Sequence, residues 1–342
     1  MRKRLSKITV CFACLGFVLP ATAEPAGKNK VSESNAKIAA RGGPEKLWVD
    51  PVDIQSRNLF YGPGGKSHQP TGTKFTFVDE DMDGTNPKYN VKAEDGVKWK
   101  IKLGAEAKPE TVASRLVWAV GYYAQEDYFL PDVHVSDLPA HLHRGQKLVG
   151  EDGEMRNVRL KRHQKSEEKL GDWRWREDPF ARSREWNGLR VLMAVINNWD
   201  LKDENNAVYE KGEERIYMVS DLGASFGTTG YNPNHEVSKG NLRNYERSHF
   251  ITKTTGDYVD FGVPSRPALI VFFNPREFFS RMNMRWIGKR VPRSDARWMG
   301  QLLARLSHEQ IRDAFRAAGY TPEETDGFAK VVEHRIGELA AL

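Results

Sequence analysis

Only two cysteines occur in the 342 residues, Cys11 and Cys14, and both lie near the amino terminus. The remaining chain can therefore form no disulfide and offers no thiolate nucleophile. His141 and His143 have no third ligand close in sequence, so a zinc site is not expected. The calcium-loop spacing that opens at Asp79, Asp81 and Asp83 fails at its twelfth position, where Asn90 stands instead of glutamate. No internal repeat is present.

With 39% hydrophobic and 29% charged residues, the body of the chain is that of a soluble globular protein. Its amino terminus differs. Arg2, Lys3, Arg4 and Lys7 precede an apolar run from Ile8 to Pro20, and Ala21-Thr22-Ala23 follows with the small-x-small pattern of a cleavage site. Residues 1–23 are thus expected to be a signal peptide, and the protein to be exported, periplasmic or extracellular. An uncleaved anchor is the alternative, but the run is shorter than the ~20 residues of a helical span. No stable membrane span is expected after cleavage. Removal of 1–23 takes away four basic and no acidic residues, lowering the formal charge from +6 to +2. Little basic excess remains, so nucleic acid is not an expected partner.

Residues 24–43 read as a polar linker. Residues 44–130 have strand character: Lys74–Val78 and Val97–Lys102 alternate, and Glu94-Asp95-Gly96 predicts a hairpin joining Tyr89-Asn90-Val91 to the second run. A helix is expected over 110–123, opened by Pro109. Residues 131–182 read as irregular, and the Arg- and Lys-rich part with Trp173 and Trp175 as a solvated insertion anchored by those two rings. Residues 183–342 read as mostly helical, with helices over 183–197, 298–306, 307–318 and 322–339 and a capping box at Ser307-x-x-Gln310. The fold class expected is α+β in two lobes, a small strand-rich one and a larger helical one, with a ligand cleft between them.

The chemistry lies in two short segments. Asp200-Leu201-Lys202-Asp203-Glu204-Asn205 is followed by Asp221-Leu222-Gly223. Phosphoryl transfer uses an Asp to orient the acceptor hydroxyl, an Asn five residues on, and a later Asp-x-Gly for metal. These segments resemble the Asp-Leu-x-x-x-Asn catalytic loop and the Asp-Phe-Gly motif of protein kinases. Gly84-Thr85-Asn86-Pro87-Lys88 is similar to the Gly-x-Gln-Pro-Lys phosphate loop of HipA-type kinases, and Lys102 with Glu110 resembles the lysine–glutamate pair of the small lobe. The chain is in this way similar to the protein-kinase-like superfamily, nearest to the HipA-like and phosphoinositide-kinase-like groups.

The resemblance implies ATP as nucleotide and Mg²⁺ or Mn²⁺ as metal. It gives Asp200 and Lys202 as catalytic, Gly84, Lys88, Lys102 and Glu110 as nucleotide-binding, and Asn205 and Asp221 as metal ligands. Lys98 and Lys100 share the pleat face of Lys102, and Glu106 rivals Glu110, so both assignments stay open in the sequence. Asn198-Trp199 replaces the usual His-Arg before the catalytic Asp, and no Ala-Pro-Glu follows. The function expected is transfer of a phosphoryl group to an unidentified acceptor. The alternatives are AMP transfer in the same cleft, or a catalytically silent binding module.

Overall fold

The computed structural model describes residues 37–84, 86–164, 167–228, 238–264 and 270–342. The expected signal peptide lies outside the described residues, as does Thr85 of the glycine loop. Among the described residues no helix is long and apolar enough to cross a membrane.

A short strand, β1 (Glu45–Lys46), precedes a closed barrel. The barrel is built from β2 (Lys74–Glu80), β3 (Lys88–Ala93), β4 (Lys98–Lys102), β5 (Asp127–Ser136) and β6 (Glu154–Arg162), in the order β2-β3-β4-β6-β5. The expected β3–β4 hairpin is present, its turn completed by Gly96 at φ 82°. Tyr89, Val91, Trp99, Ile101, Val133, Met155 and Leu160 fill the interior. The two-residue period of β4 sends Trp99 and Ile101 inward and Lys98, Lys100 and Lys102 outward. Only Lys102 is then buried, at 3% exposed.

The cover over Lys102 includes α1 (Ala107–Ala119), which packs on β5 and β6. This helix starts and stops earlier than its sequence predicts. Pro109 lies within the first turn, where its missing N–H costs nothing, and Gly121 at φ 97° turns the chain away. The other face of α1, with Val112, Leu116 and Val117, belongs to a second and larger apolar core.

That core belongs to the carboxy-terminal lobe. At its centre is α2 (Arg184–Val195), whose Ser183 Oγ accepts from the Trp186 N–H at 3.0 Å. Around it lie α3 (Leu242–Glu246), α4 (Pro275–Met284), α5 (Arg293–Leu303), α6 (His308–Arg316) and α7 (Pro322–Ala340). The Ser307–Gln310 capping box is formed, and Thr321 with Glu324 makes another. The expected two-lobed α+β arrangement is therefore the one observed.

The stretch 131–182, read as irregular, carries regular structure over much of its length. It holds most of β5, all of β6, and β7 (Glu167–Gly171). β7 joins β8 (Asn206–Lys211), β9 (Glu214–Val219) and β1 in a four-stranded sheet ordered β1-β9-β8-β7. Trp173 and Trp175 are buried at 3% and 1% exposed, and the Trp173 indole N–H donates to Met218 O at 2.9 Å. His141 and His143 lie in the loop before residue 146, with ring centroids 6.5 Å apart, and His143 faces Glu80.

Candidate active site

Two loops leave the larger core and are bonded to each other along their length. The first follows α2, where Asn197 turns through φ 52°; the second follows β9. Trp199 N–H donates to Ala224 O at 3.2 Å, and Phe226 N–H to Ile196 O at 2.8 Å. Ser220 and Asp221 both donate their N–H groups to Asn205 O, at 2.8 and 3.1 Å. Backbone bonding alone thus brings the 199–205 and 220–226 segments into one place. Within the first loop the Asn205 carboxamide donates to Asp200 O at 2.6 Å. Its nitrogen is committed there, which leaves its oxygen as the free function of the amide.

Lys102 reaches this place from the barrel. Its ammonium lies 2.8 Å from Glu110 Oε2, 2.6 Å from Glu106 Oε2 and 3.2 Å from Asp221 Oδ1. Lys98 and Lys100 do not take part, and Lys100 instead pairs with Asp81 at 2.6 Å. The choice between Glu106 and Glu110 resolves into both. Glu110 is clasped on its other oxygen by Arg159 at 3.2 Å, and Glu106 is clasped by Lys239. Arg159 continues the chain of charges to Asp127 at 3.2 Å, and Asp127 to Arg115 at 3.1 Å.

Burial by itself would lower the Lys102 pKa, but Glu110, Asp221 and Glu106 together raise it well above the ordinary lysine value. Burial would raise that of Glu106, yet the Lys102 and Lys239 ammoniums hold it down to about 2. For Glu110 burial prevails and raises the pKa, against Arg159 and Lys102. The shifts of Lys102 and Glu110 pull in opposite directions as to whether that pair is charged. Two cations in contact with one carboxylate favour the ionised form.

Asp221 stays partly open, with 39% of its side chain exposed. Its Oδ1 accepts from Gly223 N–H at 3.2 Å as well as from Lys102, so its second oxygen is the one left to a ligand. Gly223 is needed for close approach: a Cβ there would stand 2.6 Å from Glu106 Cβ. Asn205 and Asp221 so offer a neutral and an anionic oxygen, the donor types that suit Mg²⁺ or Mn²⁺. Glu106, Glu110 and Asp221 also lie within metal-chelating distance of one another, but the Lys102 ammonium touches all three.

Lys88 is the cross-strand neighbour of Lys102. Burial lowers its pKa, with the Asp81 carboxylate opposing. Gly84, at φ 67°, lies beside the Lys88 ammonium, and its carbonyl accepts from the Arg144 guanidinium. Asp200 faces Arg281 at 3.1 Å and Lys202 at 3.5 Å. Arg281 also donates to Trp199 O at 2.6 Å and stacks 4.4 Å from the Trp199 ring centroid.

Arg159, Lys239 and Arg281 join the site without a motif that marks them in the sequence. Arg159 leaves a faint signal, as a cation on the outward face of a strand next to that of Lys102. Arg281 and Lys239 lie in no local motif.

No protein-family model and no curated protein matches the chain. Among solved structures it is similar to the crystal structure of a Helicobacter pylori proinflammatory kinase, CtkA. The two are 11% identical with a TM-score of 0.44, and the match covers 78% of this chain and 96% of that one. A likeness so distant adds nothing to the geometry of the site.

Proposed function

We propose that the chain is a kinase-like phosphotransferase, exported, that uses ATP with Mg²⁺ or Mn²⁺ and acts on an acceptor of unassigned class. One observation carries this reading. A lysine on a barrel strand is fixed by a helix glutamate at 2.8 Å and meets, at 3.2 Å, the aspartate that follows β9. That aspartate is bonded in turn to the loop of Asp200 and Asn205. Dense phosphate charge calls for such a cation, held on rigid elements and oriented before the ligand arrives.

In this reading Lys102 and Lys88 hold phosphate oxygens, and Glu110, braced by Arg159, keeps Lys102 extended. Asp200 takes the proton of the acceptor hydroxyl while that oxygen bonds to the γ-phosphorus and the bond to the β-phosphate oxygen breaks. In the same reading Lys202, 3.5 Å from Asp200, offsets charge on the phosphoryl oxygens. Asn205 Oδ1 and the free oxygen of Asp221 would hold the divalent ion, which when bound neutralises phosphate charge. AMP transfer would use the same groups with the nucleotide reversed.

The silent-module reading has one observation in its favour: the Asp200 carboxylate is already engaged by Arg281 and Lys202. The test is incubation of the mature chain with γ-labelled ATP and Mg²⁺ or Mn²⁺, with Asp200→Ala and Asp221→Ala as controls. Transfer or hydrolysis lost in both variants supports phosphotransfer, and intact-mass analysis separates phosphate from AMP adducts. Activity that survives Asp221→Ala would end the metal assignment.

A further inference from the structure

A basic cavity of about 400 Å³ lies outside the Lys102 cluster, where the first turn of α1 meets the region around Tyr320. Lys108, Arg156, Asn157, Lys239, Gly240 and Tyr320 are among the residues that line it. Three of these are cations, and among the described residues that line the cavity none is a carboxylate. Lys108 has no carboxylate partner among the described residues: it donates to Gly319 O at 2.7 Å and lies 5.1 Å from the Tyr320 ring centroid. Arg156 pairs with Glu154 at 3.0 Å and Asp132 at 3.8 Å, but its side chain stays 73% exposed and can turn. Lys239 is shared with Glu106. The first turn of α1 adds the positive end of a 13-residue helix.

Tyr320 supplies the independent observation. The residue is only 8% exposed, and its hydroxyl has no hydrogen-bond partner among the described residues. That oxygen lies against Gly240 on the cavity wall, so close that a Cβ on Gly240 would stand 2.4 Å from it. Burial raises its pKa far above the ordinary tyrosine value, so the group stays an O–H donor without an acceptor. Leaving a buried donor unmatched costs on the order of a hydrogen bond. Lys108 also lacks a carboxylate among the described residues, and an incoming anion would answer both groups.

We propose that this cavity binds a phosphate-type oxyanion, held by Lys108, Arg156 and Lys239 at the first turn of α1 and by the Tyr320 hydroxyl as neutral donor. The site does not depend on phosphotransfer in the cleft. It is nevertheless joined to the cleft through Lys239, because an anion that draws this ammonium away loosens its hold on Glu106.

The experiment is thermal unfolding of the full chain in inorganic phosphate against chloride at matched ionic strength, without nucleotide or divalent ion. Phosphate is expected to raise the melting temperature in a saturable way. Arg156→Glu, at a position 73% exposed, should weaken phosphate binding about tenfold or more. Tyr320→Phe should melt higher than the parent without phosphate, since it deletes an unmatched hydroxyl, yet gain less from phosphate. Lys88→Ala, in the cleft, should keep the whole phosphate effect. The proposal is overturned by an absent phosphate-specific shift, by equal shifts in the parent, Arg156→Glu and Tyr320→Phe, or by a shift lost only in Lys88→Ala.

Discussion

The Lys102 ammonium stands 3.2 Å from the carboxylate of Asp221, 119 positions further along the chain. It is the cation among three acids that would otherwise repel one another: Glu106, Glu110 and Asp221 all contact it, and two of them are buried. Removing one partner of a buried ion cluster is costly because the others stay behind uncompensated. Lys102→Met should therefore cost ~3–5 kcal/mol of stability, as read by chemical denaturation. The three acids it leaves are close enough to chelate. Millimolar Mg²⁺ or Mn²⁺ should then raise the melting temperature of Lys102→Met more than that of the parent. Equal response in both proteins would show that the acids disperse once the lysine is gone.

A pH effect is expected from Asp178, a buried residue in the loop before α2. One oxygen accepts from Phe180 N–H at 2.6 Å, and the other has no donor among the described residues. Burial pushes its pKa up to about 7, the Phe180 N–H opposing and the Glu45 carboxylate assisting. The folded protein thus holds this proton where the unfolded chain, with a value near 3.8, has released it. The contribution is complete below pH ~4 and is lost as pH rises through about 7. Asp178→Asn should flatten that slope and melt higher than the parent at pH 8, by an amount on the order of 2–4 kcal/mol in unfolding free energy. Parallel stability–pH curves for the two proteins would exclude this account.

The parts of the fold that the sequence displayed are those whose cause is local. Alternation and the Glu94-Asp95-Gly96 turn set the β3–β4 hairpin, and the box at Ser307 opens α6. The distant parts were hidden. Period-two alternation puts Lys98, Lys100 and Lys102 on one face, and it is the placement of α1 that decides which of them is covered. β6 looked solvated because Arg156, Arg159, Lys161 and Arg162 dominate it. The partners of Arg159, Glu110 and Asp127, come from other elements and cannot be read from neighbours. Arg281 reaches Asp200 across 81 positions, from a helix with no motif.

Gly223 has no side chain because Glu106 occupies the space. A Cβ there would stand 2.6 Å from Glu106 Cβ and 2.8 Å from its Oε2. Gly223→Ala should push Glu106 off Lys102 and shift the loop of Asp221, costing ~1–3 kcal/mol. Nucleotide-dependent stabilisation should fall with it. Melting curves of the variant and the parent, each with and without ATP and Mg²⁺, check both effects. A variant as stable and as responsive as the parent would show that the loop yields without cost.

Arg281 decides between the two readings of Asp200. Its guanidinium holds the Asp200 carboxylate at 3.1 Å and the Trp199 carbonyl at 2.6 Å, with its carbon 4.4 Å from the Trp199 ring centroid. If these contacts aim Asp200 at the acceptor, Arg281→Met should lower kcat roughly 10–100-fold with KM for ATP little changed, because Asp200 does not hold the nucleotide. Arg281→Lys should retain the charge without the fork and fall between the two. If the contact instead restrains Asp200, the Met variant will turn over faster than the parent. Thermal melts of all three proteins separate either outcome from simple unfolding, since a buried arginine lost from the loop also lowers stability.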